Sequence, residues 1–276
     1  MICGTTSLIA HIGYPTFTFK SPQIYNPYFR HAGIDAVVVP MGCQAADYPD
    51  FLRAVFTLTN ITGALITMPH KVSTVGLLHQ ASTAVHIAGA CNAVRRNAAG
   101  QLEGALFDGE GFVRGVLRKG LQLAGKRALV VGAGGVGSAI AASLAAAGVS
   151  ELQVFDTHSL AAHQLADRLR LHYPQLQVHT GSNDPYGMAL VVNATPLGMH
   201  VDDPLPIDIN RLQPDCLVGE VVLRTEMTAL LIAAQQRGCR VQVGSDMLFE
   251  QIPAYLEFFG LPSTTPEQLR ALAKIE

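Results

Sequence analysis

The feature that most constrains the fold is a glycine-rich turn, Gly-Ala-Gly-Gly-Val-Gly, at residues 132–137. An apolar run at 127–131 comes before it, and a helix of small residues at 138–147 follows it. This order predicts a buried parallel strand, a tight turn and a helix, which together begin an open α/β sheet. A second predicted strand, at 151–155, ends just before Asp156.

This turn predicts a dinucleotide site. Glycines in a G-x-G-x-x-G turn let the backbone approach a pyrophosphate, and the N-terminus of the next helix favours its negative charge. We expect all six turn residues to contact the cofactor: Gly132, Ala133, Gly134, Gly135, Val136 and Gly137. The alternative is a glycine turn in an α/β protein that binds nothing.

Asp156 and the residues after it favour NAD over NADP. A carboxylate at the end of the second strand can accept hydrogen bonds from both ribose hydroxyls, and it repels a 2′-phosphate. The following residues, Thr157 and His158, include no arginine that could compensate for this repulsion. We therefore expect Asp156 and Thr157 to contact NAD.

Composition and charge exclude several other classes. The uncharged stretch 128–150 is long enough for a membrane span, but it consists mainly of Gly and Ala and its glycine cluster divides it into strand and helix. No secretion signal is visible. The formal net charge of -2 gives no reason to expect a nucleic acid or an anionic membrane as partner.

The cysteines and histidines do not predict a metal site. The five cysteines are scattered without C-x-x-C spacing, which favours neither a disulfide framework nor zinc. None of the ten histidines forms H-x-x-x-H or H-E-x-x-H spacing, and we interpret nearly all of them as surface or core residues. We expect no metal and a location in the reducing cytoplasm.

About 130 residues precede the glycine turn, which indicates that another domain comes first. Strand-like runs at 34–39 and 63–68 alternate there with helix-like runs at 22–31, 48–57 and 72–78. The pattern predicts a second α/β unit that binds the substrate. After Asp156 we expect helices at 160–171, 227–237 and 246–259 and strands at 191–194, 216–222 and 240–243.

Four short clusters indicate chemistry. Lys71 follows a strand and a proline turn, where a lysine can take part in proton transfer. Asn92 is a polar side chain among small residues, Asp108 comes before two glycines, and the run 193–199 follows a predicted strand. The first three have a structural alternative: Lys71 can be a solvated lysine, Asn92 a turn asparagine and Asp108 a helix cap.

Taken in order, these clusters resemble the shikimate dehydrogenase family, including its quinate/shikimate branch. The resemblance covers nearly the whole chain. It rests on the following segments: Gly13-Tyr14-Pro15, Ser21-Pro22, Asn26, residues 67–71, 88–94 and 104–112, the glycine turn, residues 193–199, Gly244, Met247-Leu248 and Gln251.

The resemblance implies a two-domain α/β enzyme. Residues 1–111 and 245–276 would form the substrate-binding domain, to which the C-terminal helix returns, and residues 112–244 would form the Rossmann domain, with a cleft between the two. The family's catalytic pair matches Lys71 and Asp108. Whether Lys71 acts as a base or as an electrostatic anchor stays open.

The family's other site residues match further positions of this chain. Those matching the substrate contacts are Ser21, Thr67, Asn92 and Gln251, together with the altered positions Phe19 and Lys20. Those matching the cofactor contacts outside the glycine turn are Asn193, Ala194, Thr195, Pro196, Met199, Val222, Gly244 and Met247.

The chain also departs from the family pattern. Where the family has Ser-x-Ser for a substrate carboxylate, this chain has Phe19-Lys20-Ser21. Leu65 replaces an Asn, Leu106-Phe107 replace Asn-Thr, and Leu223 and Thr225 replace the Tyr and the Pro of a later loop. The acid before the last of these loops is Glu220 in place of Asp, and an Asn-Arg-Thr-like run of NADP-using members is replaced by Asp156-Thr157-His158.

These departures leave alternatives for the function. The favoured one is an NAD-dependent oxidoreductase, as a monomer or homodimer, that acts on a ring hydroxyl of a shikimate-like cyclic hydroxy acid. The substrate can instead have shifted towards a less polar cyclic alcohol, unless Lys20 replaces the lost serine as carboxylate partner. A catalytically quiet NAD-binding regulatory protein is the alternative from another class, and a lyase or isomerase that keeps NAD as a structural group is a third.

Overall fold

The structure is a computed structural model that describes residues 2–275. The chain divides into two compact units: unit 1 contains Met1–Val85, Gly89–Phe107 and Ile252–Glu276, and unit 2 contains His86–Ala88 and Asp108–Gln251. Residues 108–111 and 245–251 therefore group with unit 2, whereas the sequence-based boundaries assign them to the first domain.

The first part of the chain alternates strands and helices. Its elements are β1 (Ser7–Gly13), α1 (Ser21–Ala32), β2 (Ala36–Gly42), α2 (Tyr48–Val55), β3 (Ile61–Ile66), β4 (Gln80–Ala81), α3 (Thr83–Ala88), β5 (Ala93–Arg96) and β6 (Leu102–Ala105). The strands form one sheet in the order β2-β1-β3-β5-β6-β4. Strand β1 lies between β2 and β3 and runs parallel to both, and its residues Ile9, Ala10 and Ile12 are fully buried.

The sequence-based prediction was wrong for one helix of this unit. Residues 72–78 form a short 3-10 helix, Ser73–Leu77, with i→i+3 hydrogen bonds from the Val75 N–H to the Val72 carbonyl and from the Leu78 N–H to the Val75 carbonyl. Gly76 lies in this run and has a poor helix propensity, so the segment stays a turn between two strands. The predicted strand at 34–39 begins later and ends later, as β2.

Unit 2 contains a fully parallel sheet with helices between its strands. Its elements are α4 (Asp108–Arg118), β7 (Arg127–Val131), α5 (Gly135–Ala146), β8 (Glu151–Phe155), α6 (Ser159–His172), β9 (Gln177–Thr180), β10 (Leu190–Asn193), β11 (Leu217–Glu220), α7 (Ala229–Gln236), β12 (Arg240–Gln242) and the part of α8 (Gly244–Phe258) up to Gln251. The rest of α8 and a last helix, α9 (Pro266–Leu272), belong to unit 1. Helix α9 begins after the Thr265 side chain, which caps it by accepting a hydrogen bond from the Gln268 N–H.

The strand order of the second sheet is β12-β11-β10-β7-β8-β9. The direction in which successive strands are added reverses between β7 and β10, and in open α/β sheets ligands bind at the carboxyl ends of the strands at such a point. The uncharged stretch 128–150 forms β7 and α5 there, as predicted. Across residues 2–275, no helix is both long and apolar enough to span a membrane.

Candidate active site

The glycine turn after β7 has the geometry that a dinucleotide requires. Gly132 has a φ of 104°, and its N–H donates to the Phe155 carbonyl over 2.7 Å. A Cβ on Gly137 would lie 1.9 Å from the Gly132 carbonyl oxygen, so only glycine lets the helix begin this close to the turn. Beside Gly134 and Gly135 a Cβ would meet nothing within 4 Å, which leaves room for ligand atoms at the start of α5.

Asp156 supports this turn directly. One carboxylate oxygen accepts a hydrogen bond from the Ala133 N–H over 2.7 Å, and the other accepts one from the His158 N–H over 2.8 Å. Burial raises the pKa of Asp156, but these backbone hydrogen bonds outweigh it and hold the pKa below its usual range. The acid is therefore charged at neutral pH, and it links the end of β8 to the turn.

The loop after β10 packs against the same turn. A Cβ on Gly132 would lie 2.8 Å from the Ala194 carbonyl oxygen and 3.1 Å from the Thr195 methyl carbon. The side chain of Asn193 holds the loop: its oxygen accepts from the Thr195 N–H and hydroxyl, and its NH₂ donates to the Leu197 carbonyl over 2.9 Å. The structure thus brings Ala194 and Thr195 of this loop to the glycine turn.

A buried acid lies beneath this loop. Glu220 ends β11 next to Asn193 of β10, is fully buried, and accepts a hydrogen bond from the Thr228 hydroxyl over 2.8 Å. Burial raises the pKa of Glu220 to about 7, although Thr228 and Asn193 partly offset it. Its Oε1 has no hydrogen-bond partner within residues 2–275. From the sequence, Glu220 was noted only as a replacement of the family's Asp. Its hydrogen bond with Thr228 was not predicted, because Thr228 lies eight residues further on.

The remaining predicted cofactor residues lie in different surroundings. Val222 is buried, and its carbonyl oxygen lies 2.1 Å from the position a Cβ on Gly244 would take, so the chain after β11 touches the start of α8. Met247 is also buried, on α8. The others are partly or fully accessible: Val136 is half-buried, and Thr157, Pro196 and Met199 are exposed.

In unit 1, the predicted lysine lies on a turn after β3. Thr67 follows the strand and its N–H donates to the Ile12 carbonyl over 2.9 Å, while its own carbonyl accepts from the His70 N–H. Lys71 is half-buried, and its carbonyl accepts from the Cys91 N–H over 2.8 Å. These bonds fix the backbone of the turn to β1 and to the segment before β5.

Asn92 comes from the segment next to this turn and is almost fully buried. Its side-chain oxygen accepts from the Phe107 N–H over 3.0 Å, and its Nδ2 has no hydrogen-bond partner in the described part of the chain. A buried amide donor without a partner is costly unless a ligand satisfies it. Asn92 can therefore donate to a substrate oxygen.

We call Phe19, Leu65 and His11 the altered wall of unit 1. Of these residues, His11 was not singled out by the sequence. The ring of Phe19 stacks on the imidazole of His11, with centroids 4.0 Å apart and planes 26° from parallel. His11 is 6% exposed and faces Leu65 across the β1–β3 pairing. A polar residue inside the apolar run of β1, two residues before Gly13, was the available signal.

The two residues that follow Phe19 are more accessible to solvent than His11 and Leu65. Lys20 is exposed and Ser21, the first residue of α1, is half-buried.

His70 is a core residue: it stacks on Tyr48 with centroids 3.9 Å apart, and its Nε2 lies 2.8 Å from the Cys43 carbonyl oxygen. It packs in the interior although it precedes Lys71 in sequence.

Asp108 and Gln251 lie on two helices of unit 2 that pack closely. Asp108 is the buried first residue of α4, and Gln251 lies on α8 with a buried Oε1 that has no hydrogen-bond partner among the described residues. A Cβ on Gly111 would lie 2.6 Å from the Gln251 Cβ. Ion pairs of Arg118 with Glu250 and of Lys119 with Asp246 also join α4 to α8.

No group of three or more His, Cys, Asp or Glu side chains within residues 2–275 is arranged to hold a metal ion. The donor groups described above are instead backbone N–H groups, amides and one lysine, which suit an organic ligand with phosphate and hydroxyl groups.

Comparison with protein families gives two matches. The family model described as "Shikimate dehydrogenase substrate binding domain" matches residues 12–94, which hold the Lys71 turn and Asn92. The ThiF family model matches residues 114–168, which contain the glycine turn and Asp156. A full-length relative is the shikimate dehydrogenase (NADP(+)) of Rubrobacter xylanophilus, 35% identical over 99% of this chain and 97% of the relative.

Two solved structures are similar over almost their whole length. A quinate dehydrogenase from Corynebacterium glutamicum in complex with NAD is 30% identical, with a TM-score of 0.84 over 97% of this chain and 98% of the other. A shikimate 5-dehydrogenase from Listeria monocytogenes in complex with shikimate and NAD is 25% identical, with a TM-score of 0.91 over 98% and 97%.

Proposed function

Because the chain belongs to the shikimate dehydrogenase family of oxidoreductases, we propose that it transfers a hydride reversibly between NAD and a ring carbon that carries a hydroxyl group in a shikimate-like cyclic substrate. The observation that carries the proposal is the cradle in unit 2, where Asp156 binds the Ala133 N–H beside a glycine turn with open space at Gly134.

The choice of NAD rests on charge. Asp156 is ionised at neutral pH and lies at the turn, where it would repel a 2′-phosphate. The residue after it, Thr157, adds no positive charge. The Rubrobacter relative carries NADP(+) in its name, whereas the two solved structures described above contain NAD, so the family uses both cofactors.

We assign the cofactor contacts to the glycine turn and the loops around it. They are Gly132, Ala133, Gly134, Gly135, Val136, Gly137, Asp156, Thr157, Asn193, Ala194, Thr195, Pro196, Met199, Val222, Gly244 and Met247. NAD, when bound, supplies the hydride acceptor. The chain's own contribution is to receive the pyrophosphate on backbone N–H groups and the ribose on Asp156.

We assign Lys71 and Asp108 as the catalytic pair. When a ring ketone is reduced, negative charge develops on its oxygen, and the Lys71 ammonium can stabilise that charge and donate the balancing proton. In the oxidation direction the hydroxyl loses this proton to the pair while its carbon loses the hydride. Asp108, a carboxylate buried at the start of α4, would orient the ammonium and accept a hydrogen bond from the reacting hydroxyl.

Other polar groups would hold the remaining hydroxyls of the substrate. The unsatisfied Nδ2 of Asn92 supports a donor role towards a hydroxyl oxygen. Thr67, Ser21 and Gln251 would contribute one polar group each. All five cysteines carry free thiols, which suits a reducing compartment such as the cytoplasm, where we propose that the enzyme works as a monomer or homodimer.

Steady-state kinetics test the proposal. The purified protein is assayed for NADH and NADPH formation with shikimate, quinate and neutral derivatives of both. We expect turnover with NAD at a higher kcat/KM than with NADP. Binding of NAD without oxidation of any ring alcohol would instead favour the quiet regulatory protein.

A further inference from the structure

We propose that the stacked Phe19–His11 pair makes the substrate wall of unit 1 selective for a ring alcohol whose ring substituent is uncharged. The inference names the substrate class of the proposed oxidoreductase site and therefore rests on the proposed function. It concerns the wall beside Thr67 and Lys71.

The stacked pair is continuous with the predicted substrate residues. If Gly13 carried a Cβ, that atom would lie 2.9 Å from Phe19 Cζ, 2.4 Å from Thr67 Cγ2 and 2.7 Å from the Met68 carbonyl oxygen. The tip of the Phe19 ring and the Thr67 side chain therefore both lie against the side of Gly13 where a Cβ would be. The apolar ring borders the turn that presents Lys71.

His11 adds no positive charge to this wall. Burial and, to a lesser extent, the charge of Lys71 lower the pKa of His11 to about 4, so the imidazole is neutral at physiological pH. Its Nδ1 has no hydrogen-bond partner within residues 2–275. On the neighbouring strand its partner in the register is Leu65, which is 4% exposed.

A carboxylate would be poorly accommodated against these side chains. Under the proposed function the Lys71 ammonium serves the reacting oxygen, so a second anionic group needs other donors. The wall offers a phenyl ring, a leucine and an uncharged imidazole. Burying a carboxylate without charge-assisted hydrogen bonds is strongly unfavourable, whereas an ester, hydroxymethyl or similar neutral group loses far less hydration.

Two groups near the wall could still bind a carboxylate, and the experiment includes them. Lys20 is exposed and carries an ammonium that could pair with a carboxylate. The hydroxyl of Ser21 is a single neutral donor.

The experiment compares shikimate with its methyl ester, which has the same ring and hydroxyls but no charge. We measure kcat/KM for both with NAD, and we measure equilibrium binding of both to the cofactor-free protein by calorimetry. We expect the ester to be preferred by about tenfold or more, the ratio that corresponds to one lost charge-assisted hydrogen bond.

Equal or better use of shikimate would overturn the inference and leave the proposed function intact. If neither these compounds nor quinate and its methyl ester react although NAD binds, the proposed ring-alcohol oxidation itself is wrong. The two failures are thus distinguishable in the same assay.

Two variants of one position show whether the wall sets the preference. Phe19→Ser adds a hydroxyl donor and should shift the shikimate-to-ester ratio of kcat/KM towards shikimate by about tenfold. Phe19→Leu keeps an apolar side chain, and the ester preference should persist. If Phe19→Ser has the same Tm as Phe19→Leu but leaves the shikimate-to-ester ratio of kcat/KM unchanged, then Phe19 does not set the ester preference.

The variant Lys20→Ala tests the competing carboxylate partner. We expect its shikimate-to-ester ratio to equal that of the wild type. A selective tenfold loss of shikimate use would show that Lys20 binds the carboxylate, and it would overturn the inference.

Discussion

The glycine-turn region of unit 2 and the candidate substrate region of unit 1 satisfy their buried polar groups in different ways. In unit 2, the acid at the glycine turn and the amide of Asn193 have hydrogen-bond partners on the backbone. In unit 1, the Nδ1 of His11 and the Nδ2 of Asn92 are buried without partners, beside apolar residues at Phe19 and Leu65. The side chains that hold the glycine turn and its neighbouring loop are satisfied by the backbone, whereas His11 and Asn92 of unit 1 keep a polar atom that a ligand can satisfy.

This difference indicates how substitutions can change the substrate that is accepted while the cofactor site is preserved. The cradle depends on backbone geometry, such as the contact of Gly137 with the Gly132 carbonyl, and few substitutions are tolerated there. The proposed substrate wall depends on individual side chains, those of His11 and Leu65 on the sheet and that of Phe19 in the loop before α1. A few substitutions such as Phe19 and Leu65 can therefore alter which molecule is accepted without disturbing the dinucleotide site.

The largest effect is expected for Lys71→Ala, which removes the proposed proton donor. Loss of a general acid or base reduces kcat by about 100- to 10,000-fold. Because the lysine belongs to unit 1, NAD affinity measured by calorimetry should stay close to that of the wild type. A decrease in kcat of less than about tenfold would show that another group carries the proton.

The variants Gly137→Ala and Gly134→Ala distinguish a loss of stability from a loss of NAD binding at the glycine turn. A Cβ at 137 would lie 1.9 Å from the Gly132 carbonyl oxygen, so we expect the free energy of unfolding to decrease by about 3 kcal/mol. A Cβ at 134 meets nothing within 4 Å, so this variant should denature like the wild type but bind NAD more weakly. Wild-type NAD affinity in Gly134→Ala would show that the open space does not receive the cofactor.

Glu220→Gln tests the buried acid through the pH dependence of stability. The pKa of Glu220 in the folded protein is about 7, above its ordinary value of 4.5. The folded state therefore binds more protons than the unfolded state between these values, and stability decreases as pH rises. From pH 5 to pH 7 the wild type should lose about 2 kcal/mol more than the variant in urea denaturation.

The effect of His11 on the pH dependence of stability has the opposite sign to that of Glu220. The pKa of His11 is lowered to about 4, so it reduces stability as pH falls from about 6.5 towards 4. Its contribution is present in both proteins of the Glu220 experiment and cancels in the difference. Parallel stability curves for the wild type and Glu220→Gln would contradict the raised pKa of Glu220.

Asp156→Asn has the smallest expected effect and tests cofactor choice. The amide can still accept one backbone hydrogen bond, from Ala133 or from His158, but it no longer repels a 2′-phosphate. The ratio of kcat/KM for NAD over NADP should decrease by about tenfold. An unchanged ratio would mean that Asp156 supports the turn without facing the ribose.

Much of the parallel sheet in unit 2 was predictable because its strands and helices are marked locally. Apolar runs, the glycine turn and Asp156 lie within about thirty residues of each other, as a βαβ unit requires. Helix α4 was not predicted, because its glycines resemble a loop. Gly109 and Gly111 are needed there since a Cβ would lie 2.0 Å from the Ala139 carbonyl oxygen and 2.6 Å from the Gln251 Cβ, respectively.

The candidate site was less predictable where it depends on contacts between separate segments. The stacking of Phe19 on His11 follows from how the chain returns over β1, which periodicity does not show. The bond between Glu220 and Thr228 likewise joins a strand to the start of α7. The hairpin of β5 and β6 was missed because both strands are short and Arg95 and Arg96 interrupt the apolar pattern.

The most direct test of the central claim is to follow the hydride itself. Quinate and methyl shikimate, deuterated at the carbon that bears the reacting hydroxyl, are incubated with the protein and NAD, and the nicotinamide is analysed by mass spectrometry. We predict one deuterium in the reduced nicotinamide for each ketone formed, and with Lys71→Ala about 100- to 10,000-fold slower formation of both products. Ketone or isomer formation with deuterium in the solvent, or no transfer from any ring alcohol, would contradict the assignment as a dehydrogenase.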